Sequence, residues 1–145
     1  MKNEDFQKLK DTTEQELKIT PDNAMDKSIQ LSNLYISFLK IHSKEKRVYE
    51  IKKLEKEKVY GELYHWYKFN VADKNGNKFE FQLGSISEID IYIKSNPLYH
   101  QLALECNQLE VQLNFIDQTL QHINNLGFKI KNYIDLLKIS KGFSM

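Results

Sequence analysis

His42, Lys46, Tyr49, Lys53, Lys56, Tyr60, Tyr64 and Tyr67 follow one another at steps of three or four residues, so on a helix they form one stripe of cations and phenol rings. Ammonium groups can track successive phosphates while rings offer faces on which bases stack. That combination suits an unpaired nucleic-acid strand held with little sequence preference. Lys44, Arg47 and Lys58 add charge to the same segment, making Lys44, Lys46, Arg47, Tyr49, Lys53, Lys56, Lys58, Tyr60, Tyr64 and Tyr67 the candidate nucleic-acid contacts. Arg47 is the one arginine in the chain, which speaks against base readout by bidentate guanidinium pairs. Val48, Ile51, Val59, Leu63 and Trp66 gather on another side of this helix, with Glu45, Glu55 and Glu62 near them. The plainer reading of the stripe is a solvated lysine face whose Tyr rings pack on a neighbouring helix, with the lysine stems lying along them.

Other chemistry finds no support. His42, His65, His100 and His122 are scattered and form no H-x-x-x-H or Cys/His pattern, so no metal site is expected. Cys106 falls on an apolar helical position, where a small buried thiol is expected rather than a nucleophile. The five glycines are isolated, which excludes a phosphate-cradling P-loop and a dinucleotide fingerprint. Neither a catalytic constellation nor a cofactor is expected, and an enzyme is the weakest reading.

Positioning such a stripe is the task of the surrounding elements. A chain of 145 residues with 41% hydrophobic and 28% charged positions can build an ordinary folded core. Mean hydropathy is −0.59, and without a long apolar run or an apolar leader at Met1–Asp5 no membrane span is expected. A single cysteine fits a cytoplasmic compartment. The net charge of +1 hides a segregation: −2 over residues 1–38, +4 over 39–84, −4 over 85–125 and +3 over 126–145.

Phe6, Leu9 and Leu17 predict a short N-terminal helix. Thr20-Pro21-Asp22 is a helix start, and the apolar face from Met25 to Leu39 predicts a helix ending near His42-Ser43. Ser43 then caps a separate helix running to about Tyr67, with Gly61 as a candidate break. Phe69, Val71, Phe79, Phe81 and Leu83 alternate with polar residues around Asn75-Gly76, which predicts a β-hairpin at 68–83. Ser87 with Asp90 reads as a capping box for a short helix that Asn96-Pro97 ends.

From there the positions Leu102, Cys106, Leu109, Leu113, Ile116, Leu120 and Ile123 keep alternating steps of four and three, the spacing of a coiled-coil seam. Gly127 is the expected end of that helix, followed by a last basic helix before Gly142. Leu104, Val111 and Phe115 extend apolar character beyond the seam, which predicts more than one helical neighbour and favours self-association through the seam residues. The expected architecture is a mainly α, multi-helix protomer with a long coiled-coil-like C-terminal helix and a small β-hairpin insertion, assembling into a homo-oligomer. Residues 1–84 form its DNA-binding region and 85–145 its oligomerisation region.

The order of parts also carries a resemblance. An apolar helix ends in Leu39-Lys40-Ile41-His42-Ser43, a Lys-rich helix runs into Tyr64-His65-Trp66-Tyr67, and after a polar loop a long helix closes in Gly127-Phe128-Lys129-Ile130-Lys131 with Ile134-Asp135 beyond. Over roughly residues 25–140 the chain resembles the UvsY family of T4-type phage recombination mediators. That resemblance implies a ring-like homo-oligomer without catalytic activity that binds single-stranded DNA in the host cytoplasm. It also implies help to a RecA-like recombinase of the UvsX type in replacing the single-strand-binding protein. Where the family carries basic residues just before its aromatic pair, this chain has Tyr60-Gly61-Glu62-Leu63, and Lys53, Lys56 and Lys58 stand one to two turns earlier. The competing expectation is a structural or adaptor coiled-coil homo-oligomer that does not bind DNA.

Overall fold

The computed structural model describes residues 1–20, 22–69, 76 and 85–142. They form four helices: α1 (Asn3–Glu16), α2 (Ala24–Phe69), α3 (Ile86–Ser95) and α4 (Pro97–Ser140). None is long and apolar enough to cross a membrane, and no group of three or more metal-binding side chains comes together among the described residues. The chain is thus mainly helical, as expected. Of the hairpin at 68–83, nearly all lies outside the described residues; Gly76 has φ of 80°, while Lys68 and Phe69 are the last residues of α2.

Two compact units are present, Met1–Lys46 with Val111–Met145 and Arg47–Glu110. Each combines part of α2 with part of α4, so these units do not coincide with a division at residue 84. In the first unit Ala24, Leu31 and Phe38 of α2 are buried with Ile116, Ile123, Leu126 and Ile130 of α4. Leu9 of α1 and Leu17 just after that helix pack against the same cluster, and Phe6 meets Phe115 edge-on at 5.4 Å. His42 on α2 lies 2.9 Å from Asp117 on α4. Buried Glu45 lies 2.9 Å from the Met1 ammonium, and Gln112 donates to the Met1 carbonyl at 2.9 Å. In the second unit Tyr67 of α2 is buried with Ile89 and Ile93 of α3, and Tyr60, Leu63, Tyr64, Trp66 and Tyr99 pack around them.

Local punctuation was overridden at two places. Ser43 does not start a helix: α2 is continuous from Ala24 to Phe69, because nothing between Ala24 and Tyr60 is Gly or Pro and an internal Ser costs only about 0.5 kcal/mol against Ala. Gly127 does not end one either. Leu126 and Ile130 on either side of it are buried in the first unit, and that packing carries α4 on to Ser140. The stop belongs to Gly142, at φ of 76°, whose N–H bonds the Ile139 carbonyl at 3.0 Å, the left-handed closure that glycine adopts without strain.

Helix starts moved by a few residues for similar reasons. The helix expected to begin at Thr20-Pro21-Asp22 starts at Ala24, and Asn23 just before it folds its side chain back, Oδ1 accepting the Thr20 N–H at 2.8 Å. Helix α3 is preceded by Ser85 rather than opened by Ser87, since Asp90, the other half of the expected capping box, is engaged by Tyr60 and Lys94. The Asn96-Pro97 junction is as expected: α3 ends at Ser95, α4 begins at Pro97, and Asn96 Oδ1 accepts the Leu98 N–H at 3.0 Å.

Gly61 and Gly127 therefore sit inside continuous helices, and a Cβ at either would meet nothing within 4 Å. Gly61→Ala and Gly127→Ala are each expected to stabilise the fold by about 0.5 to 1 kcal/mol, through helix propensity and a less flexible unfolded chain. An upward shift of the thermal midpoint checks this; a downward shift would show that the glycines are kept for a close approach.

Candidate nucleic-acid interface

The stretch of α2 within the second unit, Arg47 to Phe69, has an inner and an outer face. Its inner face is set by the residues that pack with α3: Tyr67 is buried, Leu63 and Trp66 half-buried, and Val59 is buried as well. Ile89 and Ile93, both 0% exposed, are the anchor on the α3 side. Tyr60 donates its hydroxyl to Asp90 Oδ1 at 2.8 Å and lies edge-on to Tyr99 at 5.8 Å. Asn96 Nδ2 donates to the Tyr67 hydroxyl at 3.4 Å, and the Tyr67 ring lies 5.7 Å from Tyr92. Lys52 pairs with Glu105 of α4 at 3.0 Å and with Glu55 at 3.8 Å.

The sequence-predicted contacts divide along this boundary. Arg47, Lys53 and Lys58 are exposed, Tyr49, Lys56, Tyr60 and Tyr64 are half-buried, and Tyr67 is buried. Lys44 and Lys46 are exposed in the first unit. Apart from Lys56 the predicted cations are thus exposed, whereas the rings of Tyr60 and Tyr67 serve the contact with α3. The common stripe was correct as angular position on α2, but its C-terminal half faces inward. Tyrosine suits that position because its ring packs while its hydroxyl finds Asp90 or Asn96.

The seam residues are core as well. Leu102, Cys106 and Leu109 are buried in the second unit, Leu113, Ile116 and Ile123 in the first, with Leu120 half-buried. Their regular spacing is used within the protomer, to seat α4 against its own neighbours. Cys106, 3% exposed, is a buried free thiol.

The outer face of α2 carries Arg47, Ile51, Leu54, Lys58, His65 and Phe69, at steps that keep them on one side of the helix. Ile51, Leu54 and Phe69 are 56%, 65% and 52% exposed. The His65 and Phe69 rings adjoin, with centroids 5.4 Å apart and planes tilted by 30°. Lys68 Nζ lies 5.3 Å from the centroids of both Phe69 and Tyr64. His65 and Phe69 are not among the sequence-predicted contacts. Their four-residue spacing on the side opposite Tyr60 was a signal, but the expected strand at Phe69 obscured it.

The ion pairs that hold this unit respond to pH. Pairing with Lys52 is the largest influence on Glu105 and holds its carboxyl below the ordinary 4.5. Lys94, then Tyr60, hold Asp90 below 3.8. A carboxyl depressed in the folded state stabilises fully above its ordinary value, and that contribution is lost as pH falls through the folded value. Lys52 and Lys94 are raised from 10.5 by the same partners, and hydrogen bonding to Asp90 raises the Tyr60 phenol from 10.0. Those contributions are complete below the ordinary values and fade as pH rises through the raised ones. Acid destabilisation of the wild type should therefore begin as pH drops below 4.5, and Glu105→Gln should flatten part of it. Thermal midpoints across that range, followed by helix signal, check the prediction; parallel wild-type and variant curves would refute it.

The family model described as "Recombination, repair and ssDNA binding protein UvsY" matches residues 12–143. Crystal structures of the bacteriophage T4 recombination mediator protein UvsY share the fold. One superposes with a TM-score of 0.83 at 19% identity, covering 98% of this chain and 99% of that one. A second gives 0.78 at 16% identity, covering 97% and 99%, and a third 0.76 at 18%, covering 92% and 98%. No curated protein sequence matches the chain. With the family model spanning nearly its whole length, the chain belongs to the UvsY family of recombination, repair and single-stranded DNA binding proteins.

Proposed function

We propose that this protein is a recombination mediator that holds single-stranded DNA without sequence preference along the outer side of α2 in its second unit. Arg47 and Lys58 contact phosphates there, exposed Lys53 and half-buried Lys56 add charge from the adjoining side that Tyr60 shares, and Lys44 and Lys46 supply charge in the first unit. The observation that carries this reading is the family match across residues 12–143, joined to the exposure of these cations on α2. Lysine-dominated contact is diffuse and tolerant of sequence, which is what strand loading requires.

In this reading the protein acts in the cytoplasm and performs no catalysis. It presents the strand to a RecA-like recombinase of the UvsX type while the single-strand-binding protein is displaced. A ring-like homo-oligomer would multiply weak contacts by avidity, with residues 1–84 supplying the DNA-binding region and 85–145 the assembly region. The seam from Leu102 to Ile123 supports assembly indirectly, by fixing α4. Exposed Val111, Phe128, Leu136 and Ile139 are among the side chains on α4 available to neighbouring protomers.

The test is an anisotropy titration of a labelled oligo(dT) at low and high salt, beside light scattering for the assembly mass. Binding that weakens steeply with salt and a mass above one protomer are expected. No anisotropy change at low salt would refute strand binding and leave a structural homo-oligomer as the better description.

A further inference from the structure

We propose that His65 and Phe69 form a stacking site for unpaired bases, an inference that rests on the strand-binding reading above and accounts for selectivity toward single strands. The rings expected to stack on bases are committed elsewhere: Tyr60 and Tyr67 are hydrogen-bonded to Asp90 and Asn96 within the second unit. His65 and Phe69 are both exposed on the same helix and lie side by side, their rings tilted by 30° with centroids 5.4 Å apart.

An exposed pair of adjoining rings offers a ready platform for a base, because the open face of a ring can accept one without rearranging the pair. Phe69 remains 52% exposed although an ammonium, that of Lys68, lies 5.3 Å from its centroid. Arg47 and Lys58 lie on the same side of α2. A strand whose phosphates follow those cations toward the C-terminal end of α2 therefore brings its bases to the rings. Duplex DNA has its bases already stacked and paired and cannot use the site. The exposed rings would equally attract an apolar segment of a protein, but a protein would not distinguish a strand with bases from one without.

The experiment compares oligo(dT) with an abasic oligonucleotide of equal length for the wild type, Phe69→Leu, Phe69→Tyr and His65→Ala. Phe69→Leu and His65→Ala should weaken oligo(dT) binding about tenfold and leave abasic binding unchanged, while Phe69→Tyr, which keeps a ring, binds both as the wild type does. Trp66, the one tryptophan in the chain and a neighbour of both rings in sequence, should change its fluorescence with oligo(dT) and not with the abasic strand. Equal loss on both strands, or no loss on oligo(dT), would overturn the stacking site while leaving phosphate binding intact. Failure of the wild type to bind either strand would overturn the strand-binding reading and this site with it.

Discussion

Replacing Arg47, Lys53 and Lys58 together by Gln should lower the affinity for single-stranded DNA about a hundredfold near 0.1 M salt, with little loss of stability. Each phosphate contact on a single strand contributes roughly 0.7 to the slope of log K against log salt, so three lost contacts flatten that slope by about 2. At 0.1 M salt that is about two decades, or about 2.7 kcal/mol. All three side chains are exposed, and surface substitutions of this kind usually stay within about 0.5 kcal/mol of wild-type stability. Lys94→Gln is the control. Its charge is on α3, paired with Asp90 at 2.9 Å, so it should leave the slope as it is. A triple variant with an unchanged salt slope would remove α2 as the DNA-contacting element, whatever its absolute affinity.

Phe38→Ala should destabilise the fold by about 3 to 5 kcal/mol. Phe38 is 2% exposed and buried in one cluster with Leu31, Ile116, Ile123 and Ile130, so its removal loses the transfer free energy of a ring and leaves a cavity between helices. Against a typical domain stability of about 5 to 15 kcal/mol this is a large fraction, and the urea midpoint should fall by about 2 M. Leu39 is the internal comparison: it follows Phe38 in sequence but is 41% exposed, so Leu39→Ala should cost less than about 1 kcal/mol. Similar losses at the two positions would mean that the first unit packs differently around α2.

The helical character of the chain, the Asn96-Pro97 junction and the apolar positions of α4 were legible because each depends on local physics. Proline lacks a donor and sets the end of one helix and the start of the next. Steps of three and four place Leu102 through Ile123 on one side of α4, and all except half-buried Leu120 are buried. The family resemblance was likewise carried by segments of sequence, and the match over residues 12–143 agrees with it.

Helix ends were less legible. Ser43 and Gly127 are weak signals of about 0.5 to 1 kcal/mol, and burial of Phe38, Leu126 and Ile130 outweighs them.

The candidate site shows the same limit. Sequence by itself determined that Lys46, Tyr49, Lys53, Lys56, Tyr60, Tyr64 and Tyr67 share a side of α2, since angular position on a helix follows from residue spacing alone. Only the tertiary structure decided which side faces inward. Tyrosine is chemically at home either in a packed contact or at a wet surface, and nothing in its spacing distinguishes the two. Packing against Ile89 and Ile93 of α3 turned Tyr67 inward, with Tyr60 and Tyr64 against the same cluster, and left His65 and Phe69 outside. The seam of α4 obeys the same logic: its period required an apolar partner, and the helices of its own protomer supplied one.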